Sequence, residues 1–221
     1  MFYYAGIGSR TLPYSVVRNM TQMGIKFAEK GWTLRSGGAL GADRAFEDGC
    51  KLVRGNCEIY LPWKGFNNNN SPLIGGTTLQ ALHSVAKYHP NPSALSPAAL
   101  KLMARNFNQV YGHNSIASSL CVCYTQAGEL IGGTSQALRI ILAELPNCVI
   151  INLGFKQNTD ITPRTFLEPL HCELCKKKYI VLSEDTIGCL NCDTTHDSLP
   201  ETKTLLDADY LAREYYSLSF P

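Results

Sequence analysis

Three short segments of this chain combine glycine with serine, threonine or arginine where an apolar run gives way to a helical pattern. They are Gly6–Arg10, Ser36–Asp43 and Gly132–Gln136. Glycine lets a backbone turn tightly and approach a ligand, and the free N–H groups at the start of a helix favour an anion. Each segment alone is also typical of a plain turn between a strand and a helix. Three together favour a pocket for a phosphate-bearing ligand.

Alternating strands and helices must position these turns. The apolar runs predict strands over residues 2–7, 32–35, 57–61, 120–124 and 148–153. Helical spacing predicts helices over residues 14–29, 43–53, 77–88, 98–110 and 136–144. Such alternation is typical of right-handed βαβ units and a mostly parallel sheet. Because the carboxyl ends of parallel strands share one edge, we expect all three turns to lie there.

One long segment interrupts the alternation. Residues 62–76 contain four consecutive asparagines between Trp63-Lys64-Gly65-Phe66 and Ser71-Pro72. A loop of this length is typical of a lid or a binding loop, and disorder is the competing interpretation. Trp63 or Phe66 would either stack on a base or cap the edge of the core. The sequence leaves these alternatives open.

The composition limits the class of protein. The chain has 221 residues, 45% of them hydrophobic and 17% charged, with a formal net charge of +2. Near-neutral charge argues against a protein whose whole surface grips phosphate backbones. No apolar run approaches the roughly 20 residues that span a bilayer, and the N-terminus lacks the basic lead-in of a secretory signal. We therefore expect a cytoplasmic protein that makes no membrane contact.

Four of the nine cysteines form two pairs with metal-ligand spacing. Cys172 and Cys175 make one C-x-x-C pair, Cys189 and Cys192 make the other, and 13 residues separate the pairs. Two such knuckles close a tetrahedral site, and the residues between them are too polar for a core. The sequence predicts a structural zinc ribbon within residues 157–221, followed by a helix over 205–216. Residues 1–156 would form the larger domain.

The glycine segments, in their order along the chain, resemble a known family. Gly8-Ser9-Arg10, Ser36-Gly37-Gly38-Ala39-Leu40-Gly41-Ala42-Asp43, Arg105-Asn106 and Gly133-Thr134-x-x-Ala137 are similar to the motifs of the DNA-processing protein A family. The wider grouping, called SLOG, includes the Lonely-guy phosphoribohydrolases and nucleotide-sensing domains of antiphage systems. The chain looks most like phage-encoded members. The resemblance covers about residues 2–153 and implies a Rossmann-like α/β domain, with the zinc ribbon as an addition.

The resemblance also implies roles for individual residues. In DNA-processing proteins, residues matching Arg10 and Ser36–Gly38 bind phosphates of single-stranded DNA. In Lonely-guy enzymes, an arginine matching Arg105 assists hydrolysis of an N-glycosidic bond together with a glutamate. Here that glutamate position is Ala137, preceded by Gln136. The standard hydrolase mechanism therefore lacks its carboxylate, for which Glu129 or Glu47 would have to substitute. A solvated or helix-stabilising carboxylate is the competing interpretation for both glutamates.

Together these arguments define the expected site. The candidate catalytic residues are Arg105, Glu129 and Glu47. The candidate nucleotide-binding residues are Gly8, Ser9, Arg10, Ser36, Gly37, Gly38, Gly41, Ala42, Asp43, Gly132, Gly133, Thr134 and Gln136. The candidate zinc ligands are Cys172, Cys175, Cys189 and Cys192. We expect a nucleotide or nucleotide-derived partner, with single-stranded DNA as the alternative, and the resemblance implies a homo-oligomer.

Overall fold

Five parallel strands form the part of the sheet that carries the glycine turns. They are β1 (Tyr3–Gly8), β2 (Thr33–Ser36), β3 (Cys57–Ile59), β4 (Leu120–Tyr124) and β5 (Val149–Asn152), in the spatial order β3-β2-β1-β4-β5. The computed structural model describes residues 2–154 and three further strands, β6 (Ile180–Val181), β7 (Thr186–Cys189) and β8 (Thr194–Asp197). The prediction of a mostly parallel α/β sheet is confirmed.

Five α-helices accompany the strands in the described part of the chain: α1 (Tyr14–Glu29), α2 (Ala42–Leu52), α3 (Leu79–Tyr88), α4 (Pro97–Tyr111) and α5 (Thr134–Glu144). Helix α1 has the predicted bounds. Helix α5 begins two residues before its predicted start, because the backbone of Gly133 is already helical at φ −67° and ψ −35°. Thr78 and Ser96 cap α3 and α4, since each side chain accepts an amide hydrogen bond three residues on.

The sheet separates two apolar layers. Side chains alternate between the faces along each strand, so Tyr4 and Ala5 of β1 belong to different clusters of buried residues. Helices α1 and α2 cover one face, on which Phe27 and Phe46 pack against Tyr4. Helices α4 and α5 cover the other face, where Leu138 packs near Ala5. The chain therefore changes face between β3 and β4.

That change of face creates a switch point in the strand order. Strand β1 pairs in parallel with β2 on one side and β4 on the other, and Gly8 lies opposite Tyr124. The connections leaving the carboxyl ends of β1 and β4 diverge toward opposite faces of the sheet. In open α/β sheets a ligand crevice forms outside such a point.

The three strands beyond β5 extend the sheet with mixed pairing. Strand β6 is parallel to β5, whereas β6–β7 and β7–β8 are antiparallel. The predicted helix over 205–216 lies outside the described residues. No helix in the described part of the chain is long and apolar enough to cross a membrane.

The asparagine-rich loop packs against the sheet edge. Asn67 donates a hydrogen bond to the carbonyl oxygen of Gly38 (3.0 Å), and Asn69 donates to the Glu47 carboxylate (2.9 Å). Phe66 is buried, and the ring of Trp63 meets it edge to face. Of the alternatives left by the sequence, capping of the core edge therefore holds for Phe66. The side chains of Asn67 and Asn69 thus anchor the loop to the turn after β2 and to α2.

Helices α3, α4 and α5 meet around one carboxylate. Glu144 accepts hydrogen bonds from the hydroxyls of Tyr88 and Tyr111 (2.8 Å for Tyr111) and pairs with Lys87 (3.1 Å). Partial burial alone raises the pKa of Glu144, but the two hydroxyls and the ammonium group outweigh it and lower the pKa overall. The ionised carboxylate thus joins three helices at their outer ends.

Candidate functional site

A cavity of about 390 Å³ opens at the switch point between β1 and β4. Its walls come from the turns after β1 and β4, from the start of α5 and from one face of α4. The lining residues are Ile7, Gly8, Ser9, Arg10, Ala39, Asp43, Leu102, Met103, Arg105, Asn106, Gln109, Tyr124, Thr125, Gln126, Ile131, Gly132, Gly133 and Thr134. The volume lies within the range of small-molecule sites, which is roughly 300–1,000 Å³.

Asp43 is the most heavily hydrogen-bonded group of this cavity. Its side chain is 3% exposed, and its Oδ2 accepts hydrogen bonds from the amides of Gly37 (3.1 Å) and Ala39 (3.4 Å). Its Oδ1 accepts from the amide of Gly8 (3.2 Å). Gln109 Nε2 adds a further hydrogen bond at 3.4 Å. The carboxylate thus binds the backbone turns after β1 and β2, which is the role expected of a ligand's phosphate.

Arg105 balances the charge of Asp43. The guanidinium Nη1 lies 3.3 Å from Asp43 Oδ2, and the two side chains are 8% and 3% exposed. Burial raises the pKa of Asp43, whereas Arg105 and the amides of Ala39 and Gly8 act to lower it. Burial lowers the pKa of Arg105, and Asp43 opposes that shift. Among the described residues, Arg105 Nε has no hydrogen-bond acceptor. This atom is a buried donor whose hydrogen-bonding capacity is unused.

Two glycines make the close approach of these groups possible. A Cβ at Gly37 would lie 1.1 Å from Arg105 Nη1, so the guanidinium packs directly over the backbone there. Gly41 has a φ of +81°, and a Cβ there would lie 2.5 Å from the carbonyl oxygens of Ser9 and Arg10. The backbone at both glycines therefore makes the close contact that the sequence predicts for these segments. The contacting groups, however, are Arg105 and the carbonyls of Ser9 and Arg10 and not a ligand.

The start of α5 provides a backbone donor at the cavity. The amides of Thr134 and Ser135 belong to the first turn of the helix and have no acceptor among the described residues, and of these two residues Thr134 lines the cavity. Asn106 Nδ2 donates to the carbonyl oxygen of Gly133 (2.8 Å), and Ser135 Oγ donates to that of Gly132 (2.5 Å). These bonds fix the turn, so the first amides of α5 are held ready for an acceptor.

Arg10 contributes a cation at the cavity rim. Its side chain is exposed and forms no ion pair within the described part of the chain. Both Arg10 and Arg105 line the cavity, and the charge of Arg10 adds to the larger effect of burial in lowering the pKa of Arg105. Arg10 and the positive end of the α5 dipole both favour an anionic ligand in the cavity.

The structure brings together eight of the predicted site residues and not the others. Gly8, Ser9, Arg10, Asp43, Arg105, Gly132, Gly133 and Thr134 line the cavity. The predicted residues that do not line it are Ser36, Gly37, Gly38, Gly41, Ala42, Gln136, Glu129 and Glu47. Ser36 Oγ donates to the carbonyl oxygen of Gly6 (2.6 Å), and Gln136 Nε2 donates to that of Ser84 (3.1 Å). These side chains serve the fold around the cavity.

Neither predicted substitute carboxylate reaches the cavity. Glu47 is fully buried on α2, where its carboxylate accepts hydrogen bonds from Asn69 and Lys51. Glu129 is exposed in the turn that follows β4. Asp43 is therefore the carboxylate that lines this cavity among the described residues.

Several lining residues were not predicted, although some followed a readable pattern. Leu102, Arg105, Asn106 and Gln109 recur at the i, i+3, i+4, i+7 spacing of one helical face. Leu102, Asn106 and Gln109 were therefore predictable from the position of Arg105 on this face of α4. Thr125 and Gln126 directly follow β4, which is where the switch-point rule places ligand contacts. The contribution of Ile131 depends on the loop conformation, for which the sequence has no signal.

The predicted zinc ligands lie mostly outside the described residues. Cys172, Cys175 and Cys192 are not described, and Cys189 is described only as the last residue of β7. No disulfide bond joins the other cysteines that the structure describes, which are Cys50, Cys57, Cys121, Cys123 and Cys148. Within the residues that the structure describes, no three His, Cys, Asp or Glu side chains are grouped to hold a metal ion.

Comparison with known proteins finds similarity only among solved structures. No family model matches this chain, and no curated protein matches it either. The chain is similar to the molybdenum cofactor (Moco) carrier protein of Chlamydomonas reinhardtii, with 19% identity, 70% of this chain and 77% of that chain covered, and a TM-score of 0.41. The corresponding values for the molybdenum cofactor binding protein of Rippkaea orientalis are 17%, 68%, 76% and 0.44.

A third similar structure is DNA processing protein A from Helicobacter pylori, solved for its mode of single-stranded DNA binding. The identity is 14%, the alignment covers 68% of this chain and 64% of that chain, and the TM-score is 0.46. Likeness at this level does not indicate what this chain binds. The Rossmann-like α/β architecture rests on the strand order and helices described above.

Proposed function

We propose that this protein binds a nucleoside phosphate or a nucleotide-derived signalling molecule in the cavity between β1 and β4. The observation that carries the proposal is that the cavity lining combines anion-binding groups with apolar side chains. The exposed Arg10 and the first amide of α5 suit a phosphate. Leu102, Met103 and Ile131 suit the apolar faces of a base and a sugar.

Binding is supported better than turnover. Hydrolysis of an N-glycosidic bond needs a carboxylate that stabilises the developing cation or activates water. Asp43 lines the cavity, but both of its oxygens already accept hydrogen bonds from the protein. Glu47 and Glu129 lie elsewhere. We infer that the protein holds or senses its ligand. Release of free base from a nucleoside phosphate would contradict this inference.

The cavity also favours a small ligand over a DNA strand. Of the cationic and aromatic side chains that could bind a strand, Arg35 is fully buried and pairs with Glu58 at 2.8 Å. Arg44 pairs with Asp48 on the surface of α2. Trp63 packs on Phe66 rather than at the cavity. A salt-sensitive shift of labelled oligonucleotide, with no stabilisation by mononucleotides, would favour the DNA alternative.

Thermal stabilisation by a panel of nucleotides tests the proposal. We expect at least one nucleoside phosphate or cyclic nucleotide to raise the melting temperature of the wild-type protein. Arg10→Ala should reduce that shift, because it removes the exposed cation at the rim. Arg18→Ala is the matched control, since Arg18 is also exposed but does not line the cavity. Equal shifts in wild-type and Arg10→Ala proteins would refute the assignment of this cavity.

We also propose that Cys172, Cys175, Cys189 and Cys192 hold a structural zinc ion. The support is their spacing and the antiparallel pairing of β7 with β8, in which Cys189 lies opposite Thr194. A tight reversal between paired strands is typical of a zinc knuckle. Elemental analysis should find zinc in the purified protein, and Cys172→Ser should lose it. Cys57→Ser, a control outside both C-x-x-C pairs, should keep it. Zinc retained by Cys172→Ser would contradict the proposal.

A further inference from the structure

The Ser36–Ala39 turn already contains an anion, which is the side chain of Asp43. Amides of Gly37 and Ala39 donate to Oδ2 at 3.1 and 3.4 Å. The Gly8 amide, from the turn after β1, donates to Oδ1 at 3.2 Å. Backbone amides converging on one pair of oxygens are the arrangement by which glycine-rich turns bind phosphate. Here a residue of the same chain supplies the oxygens.

A ligand could displace the Asp43 carboxylate only at a high cost in free energy. Arg105 Nη1 lies 3.3 Å from Oδ2, and both side chains are more than nine-tenths buried. A ligand phosphate that entered this turn would have to expel Asp43 and leave a buried carboxylate without its partners. A phosphate bound at Arg10 and at the amide of Thr134, which begins α5, requires no such displacement.

We propose that Asp43 is a specificity-determining residue: its carboxylate occupies the anion-binding position formed by the Ser36–Ala39 turn and so restricts the cavity to ligands with a single anionic group. This inference rests on the proposed function, because it concerns the same cavity. Among the lining residues in the described part of the chain, the charged ones are Arg10, Asp43 and Arg105. Asp43 neutralises Arg105, so only one positive charge is left for a ligand.

A chain of phosphates would meet Asp43. The first phosphate would take the donors at α5 and Arg10. A second phosphate linked to it would either extend toward the Asp43–Arg105 pair, which offers it no unpaired cation, or leave the cavity for solvent. Adding phosphates should therefore yield no gain in affinity, although each adds charge. Sites that bind polyphosphates supply further lysine or arginine side chains for that charge.

The first experiment compares ligands on the wild-type protein. Melting temperatures are measured with the mono-, di- and triphosphates of each common nucleoside, and with inorganic phosphate, pyrophosphate and triphosphate. We expect the monophosphate of the preferred nucleoside to bind at least as tightly as its triphosphate. A triphosphate that binds more than about tenfold tighter than its monophosphate would overturn the inference, because Asp43 would then not limit the anion count.

The second experiment removes the Asp43 carboxylate from the anion-binding position of the Ser36–Ala39 turn. Asp43→Ala removes the carboxylate and leaves Arg105 and three amides without their acceptor. We expect a lower melting temperature that inorganic phosphate or acetate raises again, because a free anion can replace the missing side chain. Asp48→Ala, on the exposed side of the same helix, is the control and should respond to these anions like the wild type. Asp43→Ala should also bind nucleoside triphosphates more tightly than the wild type does.

The outcomes separate this inference from the proposed function. If no nucleotide stabilises the wild-type protein, the proposed function fails. A rise in the melting temperature of Asp43→Ala with phosphate or acetate would still show that Asp43 occupies an anion-binding position. If nucleotides bind and Asp43→Ala gains no more from phosphate than Asp48→Ala does, the inference fails while the function stands. If Asp43→Ala does not fold even with phosphate present, the comparison of mono- and triphosphates on the wild-type protein decides.

Discussion

Replacing Gly37 by alanine would place a methyl group where the guanidinium of Arg105 now lies. The added Cβ would be 1.1 Å from Nη1, 2.2 Å from Cζ and 2.6 Å from Gln109 Nε2. Since the backbone of Gly37 continues from β2, the guanidinium is the group that must move. Its displacement breaks the ion pair with Asp43, and breaking a buried pair costs about 3–5 kcal/mol. The smaller freedom of the unfolded alanine chain offsets about 0.4–1 kcal/mol of that loss.

Urea denaturation followed by circular dichroism measures the net effect. We expect Gly37→Ala to lower the free energy of unfolding by about 2–5 kcal/mol. Gly133→Ala is the matched control, because Gly133 has a helical φ of −67° and its nearest neighbour, Met103 Cε, would lie 3.4 Å from the new Cβ. That substitution should change the free energy of unfolding by less than about 1 kcal/mol.

A double-mutant cycle identifies the cause. In an Arg105→Ala background the guanidinium is absent, so adding Gly37→Ala should cost little. The reasoning is refuted if Gly37→Ala is no more destabilising than Gly133→Ala. It is also refuted if Gly37→Ala costs as much without Arg105 as with it, because the contact between the two residues would then not be the source of the loss.

Three further predictions concern residues outside the cavity. Because the pKa of Glu144 is lowered in the folded protein, its ionised carboxylate stabilises the fold fully above the ordinary glutamate pKa of about 4.3, and this stabilisation is lost as the pH falls through the folded-state pKa. The free energy of unfolding of Glu144→Gln, measured from pH 7 downward, should lack that loss of stability. A hydrogen bond from Cys50 lowers the pKa of Cys57 to about 7, so alkylation by iodoacetamide should show an inflection near that pH, which Cys50→Ala should move upward. Glu47→Ala should cost about 1–3 kcal/mol of unfolding free energy, because Asn69 loses its buried acceptor, and should leave nucleotide stabilisation unchanged; loss of ligand binding would contradict the structural role assigned to Glu47.

The strands and helices of residues 2–154 were predictable because local patterns and packing agree. Helix α1 combines apolar residues at helical spacing with a glycine just after its end, and its bounds match the prediction. Strand β4 likewise matches, since the run Leu120–Tyr124 is apolar throughout and both faces of the sheet are covered. The rule for parallel sheets then places the carboxyl ends of all five strands at one edge, whereas the pairing of β1 with β4 is known from the structure.

The occupant of the glycine turn was not predictable from the sequence. Spacing shows that Ser36–Asp43 forms a turn that binds an anion, but it does not show whether the anion belongs to the ligand or to the protein. The answer depends on Arg105 and Gln109, which lie on a helix more than sixty residues away in the chain. Only the packing of α4 over the turn brings them to Asp43.

The packing of the asparagine-rich loop was not predictable for a related reason. Its composition and length are those of an exposed binding loop, whereas two of its side chains bond to Gly38 and to Glu47. A buried glutamate on α2 is not identifiable from helical spacing alone, because glutamate is normally exposed. The loop and the carboxylate explain each other only once both are placed.

Native mass spectrometry of the purified full chain tests the central claim most directly. We predict that the wild-type protein retains, or takes up from a mixture of nucleoside phosphates and cyclic nucleotides, one ligand of that chemical class. Arg10→Ala should retain less of the same mass, and Arg18→Ala should match the wild type. A wild-type protein that binds no member of the mixture, or an Arg10→Ala protein that retains the ligand fully, would contradict the assignment of a nucleotide site to this cavity.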